Sequence, residues 1–216
     1  MAIRERDKTA FAIGLAQDHA PGEVWAYNNS AIQTLDAVLE AATGEDPVEY
    51  AATHLFEPIG MRHSRLTRDA AGNALMFMGL RTTCRDLARF GLLMLRGGEW
   101  DGEQVVSREY VEAATGAPST PLNAAYGYLF WLNREGRIGS PRLATTGRDD
   151  GSSFDGQLVA GAPEDTFFAL GFRNQVVAVM PSAGVVAVRM GDAPPPGAPF
   201  DQSTLTLGVL AALTGR

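Results

Sequence analysis

The hydrophobic pattern of this chain changes period partway along, and that change limits what the chain can fold into. Up to about residue 120 the apolar side chains recur at helical spacing; beyond it they fall in short runs rich in aromatic and β-branched residues. From Asn29, Ile32, Leu35, Val38, Leu39 and Ala42 make one helical stripe that stops at Gly44. Asp46-Pro47 supplies an N-cap and a first-turn proline for a helix carrying Tyr50, Ala51, Leu55 and Phe56. Thr83-Cys84-Arg85-Asp86 follows the capping-box pattern, with Asp in place of Glu, and opens the strongest predicted helix. Its inner face is Leu87, Ala88, Gly91, Met94 and Leu95, with Arg85, Arg89 and Arg96 mostly outside. Shorter helices are expected over residues 9–15 and from the Ser107 cap to Ala114, with a turn at Trp100-Asp101-Gly102. Strands are expected over 126–132, 166–170, 175–180 and 185–190, the last two joined by Pro181-Ser182-Ala183-Gly184. Residues 64–73 and 134–163 read as polar loops, 193–199 as a proline-rich connector and 201–213 as a closing helix. Helices, then strands, then one helix make this an α+β chain rather than a parallel α/β one. We read one domain over 1–216, mainly helical to about 120 and antiparallel strands plus a helix from about 121.

Charge and composition exclude several classes of function. The 216 residues are 45% hydrophobic and carry 18 basic and 25 acidic side chains, for a net charge of -7. That is enough apolar material for a core, and the wrong sign for wrapping phosphate backbones, so no nucleic-acid partner is expected. The single cysteine, Cys84, allows neither an internal disulfide nor a thiolate metal cage. No apolar run approaches the ~20 residues of a membrane span, and the charged opening from Met1 to Lys8 is unlike a signal peptide. A cytoplasmic protein without a membrane partner is the expectation.

Most catalytic patterns are missing from the text of the chain. His19, His54 and His63 form no His-x-x-x-His or His-Glu pair; His54 and Glu57 could share a helix face, which reads as a surface histidine with a nearby acid and not as a metal site. There is no Gly-x-Gly-x-x-Gly or Walker loop, so no cofactor is expected. Gly151-Ser152-Ser153-Phe154-Asp155-Gly156 has the wrong spacing for a nucleophile elbow, and Ser152 or Ser153 would need His19 or His63 brought near by folding. Tyr27-x-Asn29 by itself reads locally as a tyrosine at a helix start with Asn29 as the N-cap.

Taken in order, however, several segments point one way. Pro21-Gly22-Glu23-Val24-Trp25-Ala26-Tyr27-Asn28-Asn29-Ser30 is followed by Phe56-Glu57-Pro58-Ile59-Gly60-Met61 and by Thr83-Cys84-Arg85-Asp86-Leu87-Ala88-Arg89-Phe90-Gly91. Then come Gly97-Gly98-Glu99-Trp100-Asp101-Gly102, Gly171-Phe172-Arg173-Asn174-Gln175 and a hairpin of valines. This series resembles the C-terminal portion of the penicillin-recognising serine hydrolases, in the branch of class C β-lactamases, related esterases and nylon-oligomer hydrolases. The resemblance implies a β-lactamase-like fold and attack on a small-molecule amide or ester by a serine from Ser-x-x-Lys, through an acyl-enzyme. It also implies proton transfer by Tyr27 and substrate orientation by Asn29. Arg173-Asn174 then falls at the third motif, where a glycine usually stands in place of Asn174 and lets the substrate lie against the backbone.

The nucleophile motif itself is not in these residues. Of the 18 basic residues 17 are arginines, and the only lysine, Lys8, would pair in Ser-x-x-Lys with position 5, which is Glu5. A phenol of ordinary pKa ~10 is ionised in only about one molecule in a thousand at neutral pH, and an arginine cannot accept its proton. The expectation is a domain inactive by itself, lacking the N-terminal strands of the family sheet. Its hairpin edge would then self-associate or pair with an N-terminal fragment. The alternative is a non-catalytic binding or assembly module on the same fold.

Overall fold

The structure, a computed structural model, describes residues 4–146, 153–198 and 200–215. Its helices are α1 (Lys8–Ile13), α2 (Asn29–Gln33), α3 (Leu35–Thr43), α4 (Pro47–Ala51), α5 (Cys84–Leu95), α6 (Arg108–Thr115) and α7 (Gln202–Thr214), with a π-helical turn at Ala52–Phe56. The strands are β1 (Arg65–Leu66), β2 (Leu80–Arg81), β3 (Glu99–Trp100), β4 (Glu103–Gln104), β5 (Trp131–Leu132), β6 (Gly136–Gly139), β7 (Ser153–Gly156), β8 (Phe167–Gly171), β9 (Gln175–Met180) and β10 (Val185–Arg189).

The alternating valines of the second half dictate the central layer. A strand with apolar residues at every position must be covered on both faces, and β9 is buried along nearly all its length. It runs antiparallel between β8 and β10 in the order β10-β9-β8-β5, with Val177 opposite Val188 and Val179 opposite both Val186 and Phe167. One face presents Phe168, Val176, Ala178, Met180 and Ala187 to Leu205, Val209 and Leu210 of α7. The other presents Phe167, Val177, Val179, Val186 and Val188 to Leu87, Phe90 and Met94 of α5 and Val111 of α6. Burying each such side chain is worth ~1.5–3 kcal/mol, so this three-layer stack is the chief apolar store of the molecule. Helix α5 can lie this close because Gly91 has no side chain: a Cβ there would sit 2.5 Å from Cγ1 of Val186 and 3.3 Å from that of Val177.

The helical half is held differently. Val38 is exposed and Ile32, Leu35 and Leu39 are only half buried, whereas Gln33 and Asp36 are fully buried. The expected apolar stripe is therefore not the inner face. What α2 and α3 pack against is the backbone of the segment around Ala74, which needs hydrogen-bond partners and not hydrocarbon. The Gln33 amide donates to the Ala74 carbonyl (2.7 Å) and to Thr9 Oγ1 (2.9 Å), and its oxygen accepts from the Met76 N–H (3.2 Å). Asp36 accepts from the Thr9 hydroxyl (2.8 Å) and the Ala74 N–H (3.1 Å). Asp46 caps α4 and forks onto Arg68 with two contacts of 2.7 Å; the Arg68 guanidinium beside it lowers its carboxyl to about 2.

Several local expectations change on folding. Thr83 accepts from the Asp86 N–H (3.2 Å), but Asp86 does not return the bond to the cap. Its buried carboxylate takes the His63 N–H (2.8 Å), the Ser64 hydroxyl (3.0 Å) and the Arg89 guanidinium (3.0 Å). Residues 126–132 do not form one strand. Tyr126 bridges Trp131 across a tight turn in which Leu129 adopts φ 65°, so only Trp131–Leu132 joins the sheet. The expected loops of 64–73 and 134–163 hold β1, which pairs with β2, and the hairpin of β6 with β7. Leu93, not assigned inward from sequence, is fully buried with Phe56, Ile59 and Met61, so α5 is apolar on two sides.

Two substitutions test these contacts. Gly91→Ala gains about 1 kcal/mol of helix propensity but forces a methyl into two β-branched neighbours, which costs about 1–3 kcal/mol. The expected net is a destabilisation of roughly 1 kcal/mol, read as a lower midpoint in urea unfolding. Asp36→Ala orphans the Thr9 hydroxyl and the Ala74 N–H, and should cost about 2–4 kcal/mol in the same measurement.

Candidate active site

A backbone exchange fixes the approach to Tyr27. Trp25 and Thr145 trade both hydrogen bonds at 2.9 Å, and the buried Trp25 ring lies so close over Gly139 of β6 that a Cβ there would meet it at 2.9 Å. Two residues on, the Tyr27 ring stacks on Trp131 (centroids 6.0 Å apart, planes 21° apart) and meets the edge of Tyr126 at 6.2 Å. Tyr126 in turn touches Trp131 at 5.0 Å and Trp25 at 5.3 Å. Four rings thus form a wall that orients Tyr27, yet 41% of Tyr27 remains exposed. Among the described residues its hydroxyl has no hydrogen-bond partner.

The helix that follows is capped by Asn28, not by Asn29. The Asn28 side chain accepts from the N–H groups of Ser30 (2.9 Å) and Ala31 (3.3 Å). Asn29 is the first helical residue, and its amide makes no hydrogen bond to another described residue. The Asn29 side chain is therefore not used as the cap.

Arg173 and Asn174 occupy the turn between β8 and β9, with φ of 64° and 59°. Asparagine tolerates this left-handed conformation; arginine adopts it rarely, so the turn must be held from outside. Arg189 of β10 does so: its Nη1 donates to the carbonyls of Arg173 (3.2 Å) and Asn174 (2.8 Å). The Asn174 amide donates to the Phe200 carbonyl (2.7 Å), which engages this side chain with the segment before α7. The Arg173 guanidinium is solvent-exposed, 3.6 Å from Asp192 and 5.7 Å above the Phe172 ring.

No hydrogen bond, ion pair or ring contact joins the Tyr27–Asn29 pair to the Arg173–Asn174 pair among the described residues. A cavity lies between their supports. It measures about 480 Å³ and is lined by Trp131, Ile138, Phe154, Leu158 and Leu170, with Ser140 and Gln202 as polar points. Trp131 is the ring on which Tyr27 stacks, and Leu170 precedes Gly171 at the foot of the turn. The sequence reading missed this wall: the aromatic density of 126–132 was its signal, but that density equally describes a strand.

The other sequence candidates fall elsewhere. The Lys8 amine donates to the Glu5 carbonyl at 2.6 Å. Ser152 lies outside the described residues, as do Gly151 and Pro199; Ser153 is on β7 with a buried hydroxyl that has no hydrogen-bond partner among the described residues. His54 faces Glu45 (3.5 Å), not Glu57, and packs on Tyr50. No described helix is long and apolar enough to cross a membrane.

Helices with an antiparallel sheet sandwiched by α5 and α7 make the β-lactamase-like fold of the serine hydrolases. The chain belongs to one family of that class, Beta-lactamase, which matches residues 4–210. Half of the chain, 108 residues, is 34% identical to the 6-aminohexanoate-dimer hydrolase of Paenarthrobacter ureafaciens and covers 27% of that protein. A solved structure of a Bacillus anthracis protein assigned as a 6-aminohexanoate-dimer hydrolase superposes over 98% of this chain and 52% of its own, at 21% identity and a TM-score of 0.71. A β-lactamase from Mycobacterium bovis does so over 96% and 73%, at 22% identity and a TM-score of 0.62. The chain thus spans about half the length of the first solved relative and about a quarter of the curated one. The fold expected from sequence, helices with an antiparallel sheet and a C-terminal helix, is the fold observed.

The ring wall makes a pH prediction. Burial, and then the neighbouring Tyr27 oxygen, push the Tyr126 phenol well above the ordinary value of 10.0. The native state keeps this proton after an unfolded chain would have released it, so stability is intact below pH ~10 and falls as pH rises beyond it. In a phenolate absorbance titration one of the five tyrosines should resist ionisation until the protein unfolds. Tyr126→Phe should remove that late component.

Proposed function

We propose that these residues form the proton-transfer and substrate-orienting side of a serine amide or ester hydrolase, to which Ser-x-x-Lys comes from outside these 216 residues. The observation that carries this reading is the Tyr27–Asn29 pair: a half-exposed phenol and an uncommitted amide at one helix start, held by a ring wall next to an apolar cavity. Tyr27 needs a basic partner to shuttle a proton at neutral pH, and the lone lysine is tied up at α1. An incoming Lys amine near the phenol would supply that partner. Asn29 would orient the carbonyl, and the cavity beside Trp131 would take an aliphatic acyl chain. Linear aliphatic amides of the kind named in the 6-aminohexanoate-dimer hydrolases suit a cavity whose wall is chiefly hydrocarbon.

The sheet supports one place for the incoming segment to dock. Among the described residues no strand pairs with the outer edge of β10, although α5 and α7 cover both its faces. An edge covered above and below but open at the side is ready to accept a strand from another segment, or from a second copy when none is supplied.

The test is complementation. The 216-residue chain alone should not turn over nitrocefin, a p-nitrophenyl ester or the 6-aminohexanoate dimer. Adding the N-terminal, Ser-x-x-Lys-bearing half of a homologous hydrolase should produce activity on at least one, and Tyr27→Phe should reduce it by about 10²–10⁴-fold. Dose-dependent turnover by the chain alone contradicts the proposal. Tight substrate binding without turnover in the complemented sample would favour the binding-module reading instead.

A further inference from the structure

A second cavity lies away from the Tyr27 cleft, and nothing in the hydrolase reading uses it. It measures about 610 Å³ and is lined by Arg62, His63, Thr83, Arg85, Asp86 and Arg89, with Gly60 at its floor. In a chain of net charge -7, three arginines and a histidine meet here around a single acid.

That acid offsets only one of the three guanidinium charges, and its oxygens are already committed. Asp86 is completely buried, with one oxygen bonded to the His63 N–H and the Ser64 hydroxyl and the other to Arg89 Nη1 at 3.0 Å. The ion pair holds the Arg89 guanidinium in place over Gly60, whose φ of 69° and missing side chain leave its approach open. Arg62 and Arg85 are exposed and have no acidic or hydrogen-bonding partner among the described residues. One positioned guanidinium and two without a partner among the described residues line a single hollow. Guanidinium forks match the paired oxygens of a phosphoryl group, and a low-lying positive hollow favours a multiply charged anion over a monovalent one.

We propose that this cavity binds a phosphoryl dianion or polyphosphate, with Arg89 as the fixed contact and Arg62 and Arg85 closing on the ligand. The site is independent of the hydrolase cleft and does not depend on that reading. The occupant's chemistry is the phosphoryl group, whether it arrives free or as part of a nucleotide.

The experiment is isothermal titration of the 216-residue chain with pyrophosphate at constant ionic strength, with ATP and citrate as parallel arms. Saturable one-to-one binding of pyrophosphate, weakened about tenfold or more in Arg62→Gln/Arg85→Gln and unchanged in Arg96→Ala, supports the site. ATP binding with the same dependence extends it to nucleotides, while pyrophosphate binding without ATP binding confines it to free phosphates. Should the double variant melt early, the single Arg85→Gln is scored by itself against the same threshold. No saturation at millimolar pyrophosphate, equal binding of citrate, or binding that survives the substitutions overturns the proposal.

Discussion

Everything in the second half of the molecule depends on covering β9 from both sides. Its valines alternate between two apolar layers, so α5 and α7 must lie on opposite faces, and the β8–β9 hairpin is carried with them. That geometry sets the Arg173-Asn174 turn at one end of the sheet and brings Trp131 of β5 alongside β8. Gly91 is the contact on which the closeness of α5 rests, since its missing side chain is what lets Val177 and Val186 reach the helix backbone. A sheet buried in this way has few degrees of freedom left except at its edges.

The Tyr27 helix is positioned by a different force. Gln33 and Asp36 reach into a buried polar seam and satisfy the backbone around Ala74, while the Trp25–Thr145 exchange and the rings of Trp25, Tyr126 and Trp131 set the Tyr27 side chain that precedes them. Polar satisfaction fixes direction more sharply than hydrocarbon contact does. The result is a well-packed mount for a phenol that is itself half in solvent. The cap at Asn28 completes the arrangement by satisfying the first helical N–H groups and leaving the Asn29 amide free.

How much of this could be read from the residues varies with the physics. The strands 175–180 and 185–190 were legible because alternation of β-branched residues has no competing helical interpretation. The Asp46, Ser107 and Asp201 helix starts were legible because a cap is a local event. The inner face of α2 and α3 was not. Ile32, Leu35, Val38 and Leu39 have the right spacing, and only the long-range partner, a loop backbone forty residues away, selects Gln33 and Asp36 instead. Asp86 shows the same limit: its spacing from Thr83 suggests a reciprocal cap, but the carboxylate is recruited by His63, Ser64 and Arg89. Tyr27-x-Asn29 was found only through its order among other segments, because three residues carry too little information by themselves. The ring wall was hidden in a run whose aromatic content suits a strand equally well.

On the function proposed above, the chain would present one side of a serine hydrolase cleft, its attacking group furnished by another segment. The most direct measurement is the intact mass of the purified 216-residue chain after exposure to a fluorophosphonate that reacts with activated serines. The account predicts an unmodified mass, with no serine of this chain phosphonylated above the level of a heat-denatured control. A stoichiometric adduct mapped to any of its serines would place the nucleophile within these residues and contradict it.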